Sequence, residues 1–394
     1  MHKNIALVLC GCLITLGGFA QSPGIQAALQ SIEQNNLELK AISSLNEKIG
    51  LQLRSENQPP DPQIGGYYLP FGDHTPGDYS EFEISQSIEF PTVYAARKKW
   101  NEARTLEAEL QLSASRQEIL LEAQQLCMEL IHLRKRSQLE QERYDQANRV
   151  VDQAEALHEK GQIGILELNK AKVAWMQVQF NVQRLDNEKD GFRLSLRDLN
   201  GGMELTLQTN EYEGELTLPE QEVLWQEVLA KDPILRQLEQ GQAISAQGVK
   251  VAKSQGLPDL TAGYNYQGIA GSNYSGVYAG LSIPLWSNRH KVKAALSDLA
   301  FQEAFSSAET VQAQMAFEKR YRSYELLSAE YEQYTRTLDG LNSEALLLQA
   351  YELGEISFLE YHMELQFYRQ AIDAMLQREK EMHQLKADLQ RHLL

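Results

Sequence analysis

The stretch TVYAARKKWNEARTLEAELQLSASRQEILLEAQQLCMELIHLRKRSQLEQERYDQANRVVDQAEALHEK, residues 92–160, contains no glycine and no proline. Pro91 precedes it and Gly161 follows it. Because proline is tolerated at the start of a helix and glycine suits its end, the stretch predicts one helix, about 100 Å long at 1.5 Å per residue.

A second stretch with the same signals lies later in the sequence. Residues 285–353 follow Pro284, precede Gly354 and contain Gly340 as their one interruption. In both stretches apolar residues recur every seven residues, which keeps one stripe of a helix facing a neighbour along a supercoil. The sequence therefore predicts two coiled-coil helices that are far longer than the usual globular helix.

One shorter helix and two candidate strands precede the first long stretch. An amphipathic pattern over residues 22–57 predicts a helix, and strands are predicted at about 64–70 and 81–90. In the second of these strands apolar residues alternate with acidic ones. This alternation suits a strand with lipid or protein core on one side and water on the other.

The same order of segments then appears a second time, which indicates an internal duplication. The turn sequence GQIGILE at 161–167 matches GEISFLE at 354–360. We assign residues 21–206 to the first repeat and 207–394 to the second. The remaining elements are a return helix at 163–199, a helix at 218–255, strands at about 259–268 and 275–284, and a return helix at 356–394.

The composition restricts the classes of function. The chain has 37 Lys and Arg against 54 Asp and Glu, a formal net charge of −17, whereas phosphate binding needs a basic face. The sequence has no glycine-rich phosphate loop, nucleophile elbow or HExxH motif, and its histidines lack metal-ligand spacing and are expected to be solvated. We therefore predict no enzyme, no cofactor, no metal and no nucleic-acid partner.

The first twenty residues have the layout of a cleaved signal peptide. Residues 1–20 combine a lysine near the start, a central apolar run and small residues at the end. Lipidation at Cys12 is the alternative. Removal of the segment leaves Cys127 as the one cysteine, so no disulfide framework is expected. No later apolar run has the length of a membrane helix, so entry into a membrane would require β-strands.

Two hairpins cannot make a stable membrane sheet alone. Four strands with an apolar face would leave the sheet edges exposed, and a barrel that spans a bilayer needs at least about eight strands. The sequence therefore predicts an oligomeric barrel that is continued by a tube of helices.

These features resemble the TolC-type outer-membrane efflux family of Gram-negative bacteria over essentially the whole chain after residue 20. The resemblance implies a mainly α fold with a β-barrel part, in which a homotrimer forms a 12-stranded outer-membrane barrel continued by a periplasmic α-helical barrel. It implies an exit duct that passively conducts substrates from an inner-membrane pump, of the resistance-nodulation-division or ABC type, through a periplasmic adaptor. The transported substrate, the pump class and the open or closed resting state stay undetermined.

The same resemblance points to two groups of site residues. The acidic residues Glu167 and Glu360 would constrict the periplasmic entrance, with solvated helix-start residues as the alternative reading. The turns would form the tip that an adaptor grips, unless their apolar residues simply pack across the turn. The docking residues would be Gly161, Ile163, Leu166, Gly354, Ile356 and Leu359.

The strand regions add a third group, the aromatic residues that a membrane barrel places at its interfaces with water. An ordinary antiparallel sheet is also rich in tyrosine. The candidates are Tyr67, Tyr68, Tyr264, Tyr266, Tyr274, Tyr278 and Trp286. A secreted coiled-coil structural or adhesion protein, with the sheets as mere caps, is the alternative to the channel.

Overall fold

The computed structural model describes residues 24–70, 78–269, 271–341 and 343–394, so the predicted signal peptide at 1–20 lies outside the described residues. The described chain is mainly helical and contains one antiparallel sheet of four strands. Its helices and strands are α1 (Ile25–Asn35), α2 (Leu37–Ser55), β1 (Gln63–Leu69), β2 (Tyr79–Ile88), α3 (Pro91–Glu159), α4 (Ile165–Leu199), α5 (Gln221–Lys231), α6 (Pro233–Ser254), β3 (Asp259–Ile269), β4 (Ser272–Ser282), α7 (Lys291–Leu338), α8 (Ser343–Glu352) and α9 (Phe358–Leu389), with a 3₁₀ turn at Arg391–Leu393.

The strands and the helices beside the sheet follow the same lateral order. The sheet order is β1-β2-β3-β4. In the helical layer α2 packs against α3, α3 against α6 and α6 against α7. Each of these helices is joined in sequence to the strand at the same place in the order. The four strands and the four helices joined to them therefore form a single row with two edges. One edge lies at α2 and β1, and the other lies at α7 and β4.

The spine of this row is α3, a helix of 69 residues. Pro91 lies in its first turn, where the missing amide donor costs nothing, and the helix ends before Gly161, which adopts a positive φ of 70°. Close to the sheet α3 packs on α2, and towards its other end it packs on α4. Two shorter helices therefore share the length of one long helix.

Three of the predicted helices are interrupted. The helix predicted at 22–57 is split at Asn36, whose ψ of 124° leaves the helical region while its side chain accepts the amide of Leu39 and caps α2. The helix predicted at 218–255 is split at Asp232, which precedes Pro233. A residue before proline is pushed out of the helical region, and Asp232 then caps the next helix.

The second long helix, predicted at 285–353, also differs from the structure. It begins at Lys291 and stops at Leu338, and α8 resumes at Ser343. Asp339 has a ψ of 127° and Gly340 a φ of 76°, so the backbone leaves the helix at the one glycine that interrupts the stretch. The return helix predicted at 356–394 likewise begins at Phe358 and ends at Leu389.

The connector between α4 and α5 lies against the middle of α3. Leu207 is fully buried in the central apolar cluster, together with Ile131 of α3 and Ile32 of α1. The Arg134 guanidinium donates to the backbone carbonyls of Leu207 and Thr209. These bonds satisfy carbonyl groups that have no strand or helix partner of their own.

Several histidines are buried, so the expectation that they are solvated is wrong. His132, His383 and His392 are each less than one-tenth exposed. Burial lowers the pKa of His132 and of His383 to about 4, and neighbouring lysines act in the same direction. The His383 ring stacks on Tyr212 with 4.2 Å between ring centroids. Helical periodicity alone does not reveal this burial, because the stacking partner belongs to the connector.

The buried histidines predict a loss of stability in mild acid. Their folded-state pKa lies below the unfolded value of about 6.5, so protonation favours the unfolded chain. The stabilisation is complete above pH 6.5 and declines as the pH falls towards 4, by about 1–2 kcal/mol for each of His132 and His383 between pH 7 and pH 5. We expect His383→Phe, which keeps the stacked ring, to reduce this slope in thermal unfolding followed by circular dichroism. The exposed His290, replaced by Asn, is the control, and an equal slope in both variants would contradict the assignment.

Candidate functional site: the glycine turns and the two faces of the sheet

The two glycine turns share one backbone geometry. Gly161 and Gly354 have φ values of 70° and 76°. In each turn the amide of the residue after the glycine donates to the carbonyl five residues earlier, with an N–O distance of 2.9 Å. This is the left-handed glycine cap that closes a helix end. The glycines are therefore required by the turn itself.

Both turns lie on one apolar cluster at the end of α3. Val150 and Leu168 contribute from α3 and α4, and Tyr351, Phe358 and Tyr361 contribute from α8 and α9. The Tyr351 ring stacks on Tyr361 at 5.2 Å and meets Phe358 edge-on at 6.2 Å. The two sequence-matched turns therefore come together at one tip, which we call the helical tip.

The predicted docking residues divide into packed and exposed groups. Ile163 and Ile356 are half-buried and pack on the cluster at the helical tip. Leu166 is 73% exposed and Leu359 is 50% exposed. Among the predicted docking residues, the leucines thus carry the exposed apolar surface, and the isoleucines pack across the turn.

Sequence reasoning missed other exposed apolar side chains close to the turns. One of them occupies a position of the first motif that differs in the second, and the other three lie outside both motifs, so a comparison of the two motifs does not reveal them. These residues are Ile165, Leu353, Met363 and Phe367.

The two tip carboxylates have different surroundings. Glu360 accepts the Ser357 amide at 2.9 Å and the Ser357 hydroxyl at 2.8 Å, which holds the pKa of its carboxyl below its usual value. Its own amide donates to the Ser357 hydroxyl, which completes a capping box. Glu167 follows Gly164, which has no capping side chain, and is half-buried. Burial, and then the charge of Glu167, raise the pKa of Tyr351.

The sheet has one apolar and one polar face. Residues that pair directly across antiparallel strands lie on the same face. Through this register Ile84 shares a face with Ile64, Tyr264 and Val277. Val277 is 87% exposed and Ile64 is 68% exposed in the single chain. This apolar face has no covering layer among the described residues.

The opposite, polar face carries every charged residue of the four strands, namely Glu81, Glu83 and Asp259. Asn265 donates to the Glu81 carboxylate at 2.7 Å. Gln267 donates to the same carboxylate at 3.3 Å. The acidic groups are therefore held in a hydrogen-bonded layer on one side of the sheet.

The predicted interface aromatics are divided between these faces. The pairings of Tyr68 with Ser80, of Tyr264 with Ile84 and of Tyr266 with Phe82 place these three tyrosines on the apolar face. The other three tyrosines lie on the polar face, and the Tyr278 hydroxyl donates to Glu83 there. The seven residues therefore do not share one face of the sheet, because neighbours such as Tyr67 and Tyr68 must point to opposite faces. Trp286 follows β4 and is 79% exposed.

Two classes of feature are absent from the part of the chain that the structure describes. None of its helices combines the length and the apolar character needed to cross a membrane. No group of three or more His, Cys, Asp or Glu side chains within that part could hold a metal ion.

Comparison with known proteins gives a structural likeness. No family model and no curated protein matches the sequence. One match is a crystal structure of CusC that concerns the conformational changes accompanying folding and transmembrane channel formation. Its TM-score is 0.77 at 14% identity, over 94% of this chain and 92% of that one.

Two further structures match over a similar length. A membrane protein from Pseudomonas aeruginosa gives a TM-score of 0.80 at 14% identity, over 94% of this chain and 90% of that one. The Campylobacter jejuni CmeC outer membrane channel gives a TM-score of 0.70 at 14% identity, over 93% of this chain and 85% of that one. The chain therefore has the fold of these three proteins along nearly its whole length.

Proposed function

We propose that this protein is a TolC-type outer-membrane channel, which serves as the exit duct of an efflux or secretion system in a Gram-negative bacterium. The observation that carries the proposal is the likeness to channel structures over 93–94% of the chain. The sheet supports it independently, because one face is apolar and uncovered while the other is polar and acidic. Membrane barrels have this division between a lipid face and a water-filled lumen.

In the proposed assembly three copies form a homotrimer. Four strands are too few for a barrel, and both sheet edges are unpaired within the described residues. Three copies supply twelve strands in the outer membrane, and the helices continue the tube into the periplasm. Because transport through such a duct is passive, the proposal needs no catalytic residue and no cofactor.

The helical tip is the proposed contact with a periplasmic adaptor, which would join the channel to an inner-membrane pump. Leu166 and Leu359 present apolar groups at the tip. Exposed apolar groups that are clustered at one end of a rod favour contact with another protein. The pump and the adaptor would select the cargo, upstream of the channel.

The alternative, a secreted structural or adhesion protein, is disfavoured by the apolar face of the sheet. Val277 and Leu281 of β4 are 87% and 66% exposed in the single chain. At about 25 cal/mol for each Å² of apolar surface, a bare face of this kind is unfavourable in water. Lipid would remove that cost.

Membrane fractionation tests the proposed function directly. We expect the protein in outer membranes as an oligomer that resists SDS until it is heated. A monomeric rod that is released with the soluble periplasm would contradict the channel and support the secreted alternative.

The two faces of the sheet predict opposite responses to arginine at neighbouring positions. Val277→Arg places a charge on the proposed lipid face, where it costs about 2–4 kcal/mol near the bilayer midplane. Gly276→Arg places the same side chain on the polar face, where an added Cβ has no atom within 4 Å. We expect the first variant to lose SDS-resistant oligomers and the second to keep them. Equal loss in both would contradict the assignment of the faces.

The tip carboxylates predict a change in ion preference. Replacement of Glu167 and Glu360 by Gln removes six negative charges from a trimer, so we expect weaker cation preference or higher conductance in planar bilayers. Glu159→Gln with Glu352→Gln is the matched control, because it removes the same charge from the other arm of each turn.

Glu360→Gln also weakens the capping box, so the thermal stability of each single variant is measured in parallel. Glu167 has no such capping bond, and its single variant reports the charge effect alone. Unchanged conductance and selectivity in Glu167→Gln would contradict the assignment of this residue to the entrance constriction.

A further inference from the structure

A cleft opens between α2 and α3 close to the sheet, and charged side chains line it. Its volume is about 530 Å³, within the range of about 300–1,000 Å³ that is usual for ligand sites. Arg54 of α2 lines it, together with Lys98, Glu102 and Leu106 of α3. None of the three charged groups named here forms an ion pair among the described residues. We call this site the α2–α3 cleft.

The α2–α3 cleft opens on the side of the molecule that carries the apolar face of the sheet. Ile88, the last residue of β2, lies on the apolar face, so Glu89, which continues the alternation, lies on the polar side. Arg97 pairs with Glu89 at 2.6 Å, which sets that side of α3 under the polar face. At about 100° per residue, Glu102 is turned by about 140° and Leu106 by about 180° from Arg97. The cleft therefore faces the side that the proposed function assigns to lipid.

The cleft also lies near the depth of the phospholipid headgroups in the proposed channel. Lys98 is seven residues beyond Pro91, about 10 Å below the start of α3. The headgroup region of a bilayer extends about 5–8 Å beyond the hydrocarbon core, and long basic side chains reach across the remaining distance. Trp286 follows β4 at the same end of the sheet and is 79% exposed, as is typical of tryptophan at a membrane–water interface.

Basic side chains are concentrated at this level, although the whole chain has a formal net charge of −17. They lie within the three turns of α3, α6 and α7 that are nearest the sheet. All are exposed, and none forms an ion pair among the described residues. Such residues attract the phosphates of lipid headgroups. The lysines of this belt are Lys98, Lys99, Lys250, Lys253, Lys291 and Lys293.

We propose that the α2–α3 cleft binds the headgroup of a phospholipid that carries a primary ammonium, phosphatidylethanolamine, from the periplasmic leaflet of the outer membrane. This inference rests on the proposed channel function and adds a lipid site to it. Arg54 and Lys98 bind the phosphate, and the Glu102 carboxylate accepts hydrogen bonds from the ammonium.

The order of charges along α3 matches this headgroup. In a lipid of the periplasmic leaflet the acyl chains lie in the membrane, the phosphate follows, and the ammonium ends the headgroup. Because α3 descends from the sheet, Lys98 is nearer the membrane than Glu102, by about 6 Å. Glu109 lines the cleft two turns further along. A phosphate without an ammonium would place Glu102 beside a like charge.

The wall of the cleft supplies a further acceptor. Asn101 is 6% exposed, and its amide nitrogen donates to the carbonyl of Leu53. Its amide oxygen has no hydrogen-bond partner among the described residues. A buried acceptor of this kind is unfavourable until a donor satisfies it. A primary ammonium supplies N–H donors, whereas the trimethylated ammonium of phosphatidylcholine supplies none.

Native mass spectrometry of the full chain, purified from membranes in detergent, tests the site by titration with lipid. We expect phosphatidylethanolamine to bind about tenfold more tightly than phosphatidylcholine, which carries the same charges without an N–H donor. Arg54→Gln with Lys98→Gln should weaken phosphatidylethanolamine binding by about 30-fold, from about fivefold for each basic residue near a lipid surface. Lys250→Gln with Lys253→Gln is the matched control, because it removes the same charge from the belt outside the cleft.

A second variant separates the ammonium contact from general attraction to lipid. We expect Glu102→Ala to bring the affinities for phosphatidylethanolamine and phosphatidylcholine together, because it removes the proposed acceptor. Glu107→Ala is its control, since Glu107 is an exposed carboxylate of the same helix that does not line the cleft. Competition with inorganic phosphate distinguishes a lipid headgroup from free phosphate.

The outcomes separate this inference from the proposed function. SDS-resistant, conducting oligomers that bind the two lipids equally, or whose Arg54 and Lys98 double variant binds phosphatidylethanolamine as well as the control does, would overturn the lipid site and leave the channel standing. Displacement of the lipid by an equal concentration of inorganic phosphate would assign the cleft to free phosphate and overturn the lipid site as well. The absence of any oligomer in membranes would overturn the channel and the lipid site together.

Discussion

The structure depends on a sheet that the described residues of one chain leave incomplete. Its apolar face has no cover, its polar face holds the strand carboxylates, and both of its edges are open among the described residues. Edges and bare apolar surface are each unfavourable in water, and both disappear when sheets close into a barrel in lipid. In the proposed channel, association of copies and insertion into a membrane therefore satisfy the sheet together.

The helices have open edges as well, and these edges extend far from the sheet. Each strand continues into a helix at the same position in the row, so the open edges of the sheet become open edges of the helical wall. The 69-residue α3 supports two shorter helices along its length and ends at the helical tip. In the proposed ring, closure at the sheet also fixes the neighbours of the tip, although the tip takes no part in the sheet.

The sequence predicts α3 well because the absence of glycine and proline is a local property that packing does not override. The splits at Asn36 and Asp232 depend on capping side chains, which an amphipathic pattern does not weigh. The break at Gly340 has a visible signal, but the heptad pattern continues through it and conceals it. The faces of the tyrosines follow from strand parity, whereas the burial of His132 and His383 arises from tertiary packing that no local pattern contains.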